Sequence, residues 1–147
     1  MELNTASEAI SFSRELEGES AKFYGNMAQK YVDGKEEFLS CTRENSKNIT
    51  LVQRTYYGVI SDALEGCYSF KGIDTDDYSI ETKLPEGISY ADALSMAVAL
   101  EEKIVKFYVD AARVSKSLMA DVPRVFERIA KKRNERILKL RSLFKEN

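Results

Sequence analysis

Apolar residues recur every three or four positions over four long stretches of the chain, which is the spacing of one face of an α-helix. Polar residues that commonly cap helices stand before three of these stretches, at Thr5, Ser89 and Asp121. We therefore expect four amphipathic helices. Their predicted bounds are about 5–31, 36–64, 89–117 and 121–145.

The helical pattern fades over 65–88, between the second and third predicted helices. Glycines, a group of acidic residues and Pro85 are typical of a connection rather than of a helix. A segment of this length can cross from one end of a helical bundle to the other. The pattern as a whole predicts an all-α fold in a single domain over 1–147, a four-helix bundle made of two helix pairs joined by a long crossover.

The two halves of the chain repeat part of each other's pattern. The Leu-Glu pair at 16–17 and the Phe-Tyr pair at 23–24 recur as the same pairs at 100–101 and 107–108. A repeat of this kind indicates that the first and third helices occupy equivalent places in the bundle. In the fourth helix, Phe144 is among the residues expected on the inner face.

The composition narrows the possible chemistry. The 147 residues include no histidine, which excludes histidine acid–base catalysis, histidine-activated nucleophiles and histidine-ligated metal sites. Lysine and arginine number 22 against 24 acidic residues, so the formal charge of −2 gives no reason to expect nucleic acid as a partner. Cys41 and Cys67 are too few for a disulfide scaffold and are interpreted as reduced thiols.

Nothing in the sequence predicts an association with a membrane. No apolar run is as long as a bilayer span, and the first residues lack the pattern of a signal peptide. We therefore expect a cytoplasmic protein.

The placement of two glutamates resembles that of the ferritin-like, rubrerythrin-type di-iron carboxylate proteins. Glu17 and Glu101 each stand seven residues before a tyrosine, Tyr24 and Tyr108. In that family two helices each supply one such glutamate, and the other two each supply Glu-x-x-His, with all six side chains directed into the core. The resemblance covers nearly the whole chain and implies a ferritin-like fold, with iron as the ancestral cofactor and oxidoreductase or peroxidase activity as the ancestral chemistry.

Four of the six ligand positions implied by the resemblance carry other residues here. The expected Glu and His fall on Asn45 and Asn48 in the second helix, and on Arg133 and Arg136 in the fourth. An arginine carries a fixed positive charge and has no lone pair with which to bind a cation. The two glutamates and two arginines among the six positions sum to zero charge without any metal.

These replacements suggest that ion pairs stand where the family holds metal. We expect Glu17 and Glu101 to pair with Arg133 and Arg136, because arginine forms forked hydrogen bonds with carboxylates, and the two asparagines to fill the remaining hydrogen bonds. Tyr24 and Tyr108 are then core aromatics close to the site. In this interpretation the protein has no catalytic residues and no cofactor, and it is a structural or interaction module rather than an enzyme.

Other interpretations remain open from the sequence alone. The four charged residues occur in charged runs, which usually lie on solvated helix faces. A divergent site could hold iron through Glu17 and Glu101 with help from Glu44 or Glu135, keeping peroxide, oxygen or iron-handling activity. A third possibility is a binder of a small molecule in the bundle interior.

The partners are less defined than the site. A homodimer is one possibility, since several aromatic residues have no assigned place in the core, and a further protein or small-molecule partner is not identified by any motif. The unassigned aromatic residues are Tyr56, Tyr57, Tyr68, Phe70 and Tyr90.

Overall fold

The computed structural model describes residues 1–59, 72–115 and 121–144, and over these residues every regular element is helical. One isolated β-bridge joins Glu2 to Asp74. The predicted helix ends at 60–64, 116–117 and 145 lie outside the described residues, as do Cys67 and the first part of the predicted connection. The helices are α1 (Ala6–Lys30), α2 (Lys35–Val59), α3 (Tyr90–Ser115) and α4 (Val122–Phe144), with a short 3₁₀ helix at Thr75–Tyr78.

Side-chain caps mark the beginnings of α1 and α3. The Thr5 hydroxyl accepts a hydrogen bond from the backbone N–H of Glu8 at 3.1 Å, and the Ser89 hydroxyl accepts one from the N–H of Asp92 at 3.1 Å. Each cap satisfies one of the amide donors that the first turn of a helix leaves without a partner. Both helices therefore begin directly after the polar residue.

The helices form two antiparallel pairs. The most extensive packing joins α1 to α2 and α3 to α4. Between the pairs, Ser13 on α1 contacts Tyr108 on α3, whereas Tyr24 contacts Glu101, so α1 and α3 also run in opposite directions. This arrangement directs one side of each helix toward a common centre.

The described part of the connection before α3 follows the length of α1. At one end the backbone N–H of Leu3 donates to the carbonyl of Ile73 at 2.8 Å, and at the other the Tyr31 hydroxyl donates to the carbonyl of Ile88 at 2.8 Å. The segment 73–88 therefore passes from the beginning of α1 to its end. As a result α2 and α3 run in the same direction, which a short turn could not achieve.

Aromatic side chains form much of the core around the centre. Phe12 packs edge-on against Phe107, with ring centroids 5.0 Å apart, and Tyr108 lies 5.8 Å from Phe126. Burial of such side chains is the largest favourable contribution to a fold of this size. The aromatic residues with no exposed surface, among those whose side chains the structure describes, are Phe23, Tyr24, Phe38, Phe107, Tyr108 and Phe126.

Two placements differ from the sequence-based expectation. Phe144, expected on the inner face of α4, is 36% exposed. Tyr90 is half-buried and packs edge-on against Tyr31 and Phe38, with ring centroids 5.2 and 6.4 Å away, so its ring belongs to the core rather than to a free surface. The other four aromatic residues considered for a dimer contact lie outside the described side chains. Within the described residues, no helix is long and apolar enough to cross a membrane.

Candidate functional site: a buried ion network

Six polar side chains from all four helices meet at the centre of the bundle. They are Glu17 from α1, Asn45 and Asn48 from α2, Glu101 from α3, and Arg133 and Arg136 from α4, and none is more than 4% exposed. They are the two glutamates and the four replaced ligand positions that the sequence predicts at the site. Their burial overturns the alternative in which the two glutamates and the two arginines lie on solvated helix faces.

Arg133 lies between the two glutamates. Its Nη1 donates to both carboxylate oxygens of Glu101, at 2.7 Å each, and its Nη2 donates to Oε2 of Glu17. The same Nη2 also donates to Oδ1 of Asn45 at 3.0 Å. One guanidinium therefore contacts side chains from α1, α2 and α3, and charge-assisted hydrogen bonds of this kind are the stronger class in proteins.

Arg136 extends the network toward the protein surface. Its Nη1 donates to Oε1 of Glu101 at 3.0 Å and to Oδ1 of Asn45 at 3.1 Å. Its Nη2 lies 3.4 Å from the carbonyl oxygen of Cys41 and 3.7 Å from a carboxylate oxygen of Glu44, which is one-third exposed. Arg136 thus connects the buried carboxylate of Glu101 with a partly solvated one.

The two tyrosines bind the glutamates in a reciprocal way. The Tyr24 hydroxyl on α1 donates to Oε1 of Glu101 on α3 at 2.6 Å, and the Tyr108 hydroxyl on α3 donates to Oε1 of Glu17 on α1 at 2.9 Å. The exchange follows from the repeat between α1 and α3. The Tyr24 ring also lies 5.3 Å from the guanidinium carbon of Arg136, within the range of a cation–π contact.

The asparagines complete most of the remaining hydrogen bonds. Asn45 donates from Nδ2 to the hydroxyl of Ser20 at 3.2 Å, and Asn48 donates from Nδ2 to Oε1 of Glu17 at 3.2 Å. Among the described residues, neither Oδ1 of Asn48 nor Nε of Arg133 has a hydrogen-bond partner. Most buried polar atoms in proteins have a hydrogen-bond partner, so these two atoms are exceptions.

The electrostatics of the site determine the protonation forms of Glu101 and of the two tyrosines. Burial alone would raise the pKa of Glu101, but Arg133 and Arg136 outweigh burial and hold its pKa below the usual 4.5. Burial, together with the adjacent Glu101, raises the pKa of Tyr24 well above 10. Burial and Glu17 do the same for Tyr108. At neutral pH Glu101 is therefore charged and the two phenols are neutral hydrogen-bond donors.

These residues do not fit a di-iron centre. Two iron ions require several carboxylates with open lone pairs, whereas this site offers two carboxylates whose oxygens bind a guanidinium. Over 1–59, 72–115 and 121–144, no group of three or more Asp, Glu or Cys side chains is placed to hold a metal ion. The proposed substitutes do not change this, because Glu44 lies beside Arg136 and Glu135 is exposed.

Several contributors to the network were not identified from the sequence. Ser13 contacts the Tyr108 hydroxyl at 2.8 Å, and Ser20 accepts the hydrogen bond from Asn45. Both serines lie on the buried face of α1, four residues before and three residues after Glu17. This spacing places both serines on the same helix face as Glu17. It did not identify them as members of the network, because small polar residues are common on any helix face.

Comparison with known proteins identifies no relative of this chain. It matches no protein-family model, and no curated protein or solved structure is similar enough to count as a match.

Proposed function

We propose that this chain is a ferritin-like, rubrerythrin-type protein that has lost its di-iron site and is a non-catalytic structural or interaction module. The observation that carries the proposal is the guanidinium of Arg133, which is fully buried and binds the carboxylates of Glu17 and Glu101 at once. Support also comes from the reciprocal Tyr–Glu hydrogen bonds between α1 and α3, which fit a bundle built from a repeated helix pair.

Charge balance is the physical basis of the proposal. Two buried carboxylates need about two positive charges nearby, since an unpaired charge in the interior is costly. In a di-iron protein the metal ions provide this compensation. Here two arginines provide it, and metal binding would require Arg133 to leave the space between the glutamates, breaking buried ion pairs at a cost of about 3–5 kcal/mol.

The ion network also accounts for a structural role. Arg133 belongs to α4, yet it contacts side chains on the other three helices. Buried ion pairs and hydrogen bonds between side chains of different helices restrict the relative positions of those helices. We infer that the network holds the four helices together at the centre of the bundle. The family has a reactive metal centre at this position.

Restoring the family's ligands tests this proposal. The fourfold variant Asn45→Glu, Asn48→His, Arg133→Glu and Arg136→His should bind ferrous iron, seen by titration and by the optical spectrum after exposure to air. The unchanged chain should bind none under the same conditions.

A matched control separates the arginines from the other replacements. The twofold variant Asn45→Glu with Asn48→His keeps both arginines and should remain unable to bind iron. Iron binding by the unchanged chain would refute the proposal, and failure of a folded fourfold variant to bind iron would argue against the ferritin-like assignment.

A further inference from the structure

A second polar site lies at the surface between α2 and α4, next to the buried network. The cleft has a volume of about 450 Å³. Its basic residues are Lys47 and Arg54 from α2 and Arg128 and Lys132 from α4, and none of the described residues that line it is acidic. The four side chains give the cleft a local charge of +4, although the chain as a whole has a net charge of −2.

The basic residues of this cleft have no direct ion-pair partner in the described part of the chain. Among the described residues, Lys47, Arg54, Arg128 and Lys132 form no ion pair, whereas other basic residues such as Lys106 and Arg141 do. Like charges gathered from two neighbouring helices repel one another, and a bound anion relieves that repulsion. The concentration of charge therefore indicates a ligand with a strongly negative group.

The wall of the cleft includes a buried acceptor. Asn48 is 1% exposed and lines the cleft, while its Nδ2 donates inward to Glu17. Its Oδ1 has no hydrogen-bond partner in the part of the chain that the structure describes. A carbonyl oxygen accepts hydrogen bonds, so it selects a donor such as a hydroxyl group rather than the anion itself.

Neighbouring charges favour a small ligand over a polyanion. The adjacent cleft along the same two helices is lined by Glu37, Glu44 and Glu135, together with basic residues. These three carboxylates interrupt the positive strip that a nucleic-acid backbone would follow. Lys47 and Lys132 line both clefts, whereas Arg54 and Arg128 line only the cleft that includes Asn48.

We propose that the cleft between α2 and α4 binds a small phosphomonoester that also carries a hydroxyl group. Its phosphate contacts Lys47, Arg54, Arg128 and Lys132, and its hydroxyl donates to Oδ1 of Asn48. This site shares Asn48 with the ion network, because Asn48 also donates a hydrogen bond to Glu17. The proposal does not depend on the ferritin-like assignment.

Calorimetric titration with glycerol 3-phosphate tests the charge requirement. The unchanged chain should bind it, and Lys132→Gln or Arg128→Gln should weaken binding about tenfold, the effect of losing one charge-assisted hydrogen bond. Lys131→Gln is the matched control, since Lys131 is exposed and lines a different groove between α3 and α4. Absence of binding, or equal weakening by Lys131→Gln and Lys132→Gln, would overturn the proposal.

Methyl phosphate, which has no hydroxyl, tests the part of the proposal that concerns Asn48. Glycerol 3-phosphate should bind more tightly than methyl phosphate to the unchanged chain, and Asn48→Ala should remove the difference. Equal affinities of the unchanged chain for the two esters would overturn the assignment of Asn48 as the hydroxyl acceptor. Binding of a single-stranded oligonucleotide or of phosphatidylglycerol vesicles, without binding of glycerol 3-phosphate, would overturn the small-ligand proposal.

Discussion

Arg133 stabilises the centre of the bundle, because its guanidinium binds two carboxylates that would otherwise repel each other. It has no exposed surface, and neither do Glu17 and Glu101. Loss of one member of a buried ion pair is more damaging than loss of both, since the remaining charge keeps its desolvation cost without its partner. The stability of the fold should therefore depend strongly on this one side chain.

Arg133→Leu should destabilise the fold by about 3–5 kcal/mol, because it leaves Glu17 without its arginine partner and Glu101 with one arginine instead of two. Urea unfolding followed by circular dichroism measures the change in the free energy of unfolding. Lys131→Leu is the control, since Lys131 is exposed and forms no ion pair among the described residues. A change below about 0.5 kcal/mol for Arg133→Leu, typical of surface substitutions, would contradict the network.

Sequence reasoning could identify the charged members of the site but not its full hydrogen bonding. Glu17 and Glu101 were identifiable because each stands at the same distance from a tyrosine, and Arg133 because it falls on an implied ligand position. The sequence could not tell which arginine would bridge the two glutamates. That depends on the separation of the helices, which is set by packing across the whole core.

The turn between α1 and α2 shows how a local backbone requirement positions a helix pair. Gly34 has a φ of 77°, and a Cβ added there would lie 2.5 Å from the Tyr90 hydroxyl oxygen. Gly87, in the connection before α3, has a similar φ of 75° but has no atom within 4 Å of an added Cβ. The two glycines share a backbone conformation and differ in their surroundings.

Gly34→Ala should therefore destabilise the protein more than Gly87→Ala. Both substitutions pay about 1–2 kcal/mol for a non-glycine residue with positive φ, and Gly34→Ala adds a clash with the side chains of Tyr90 and Phe38. Thermal unfolding of the two variants side by side measures the difference. Equal losses of stability would contradict the prediction. They would show that the Tyr90 side chain can move away from an added Cβ without loss of stability, although it packs in the aromatic core.

The periodicity of apolar residues predicted the helices. It did not predict how deeply each residue along a helix is buried. Phe144 lies on the apolar stripe of α4 and yet is 36% exposed, whereas Arg133 lies in a charged run and is fully buried. Periodicity identifies a face of a helix, but it does not show how far the neighbouring helices extend along it. Burial at a given turn depends on those neighbours.

For the molecule as a whole, the network links the two helix pairs through charge, so stability should depend on pH. The arginines outweigh burial and lower the pKa of Glu101 in the folded protein below 4.5, its usual value in an unfolded chain. Protonation therefore favours the unfolded state. The stabilisation from Glu101 is fully present above about pH 4.5 and is lost as the pH falls through the lower, folded-state pKa.

The free energy of unfolding should accordingly fall as the pH decreases below about 4.5, and the fall should be smaller in Glu101→Gln, which has no carboxyl at this position to titrate. Urea unfolding at a series of pH values from 7 to 3 measures both proteins. Parallel curves for the two proteins would contradict the claim that Glu101 is held in its charged form by the arginines.

The guanidinium groups of Arg133 and Arg136 pair with the buried carboxylates, and we propose that they do so where the family has iron. Elemental analysis of protein purified from cells grown with added iron measures whether the site still takes up metal. The purified chain should contain no stoichiometric iron. Two iron ions per chain, the content of an intact di-iron carboxylate centre, would show that the arginines have not replaced the metal.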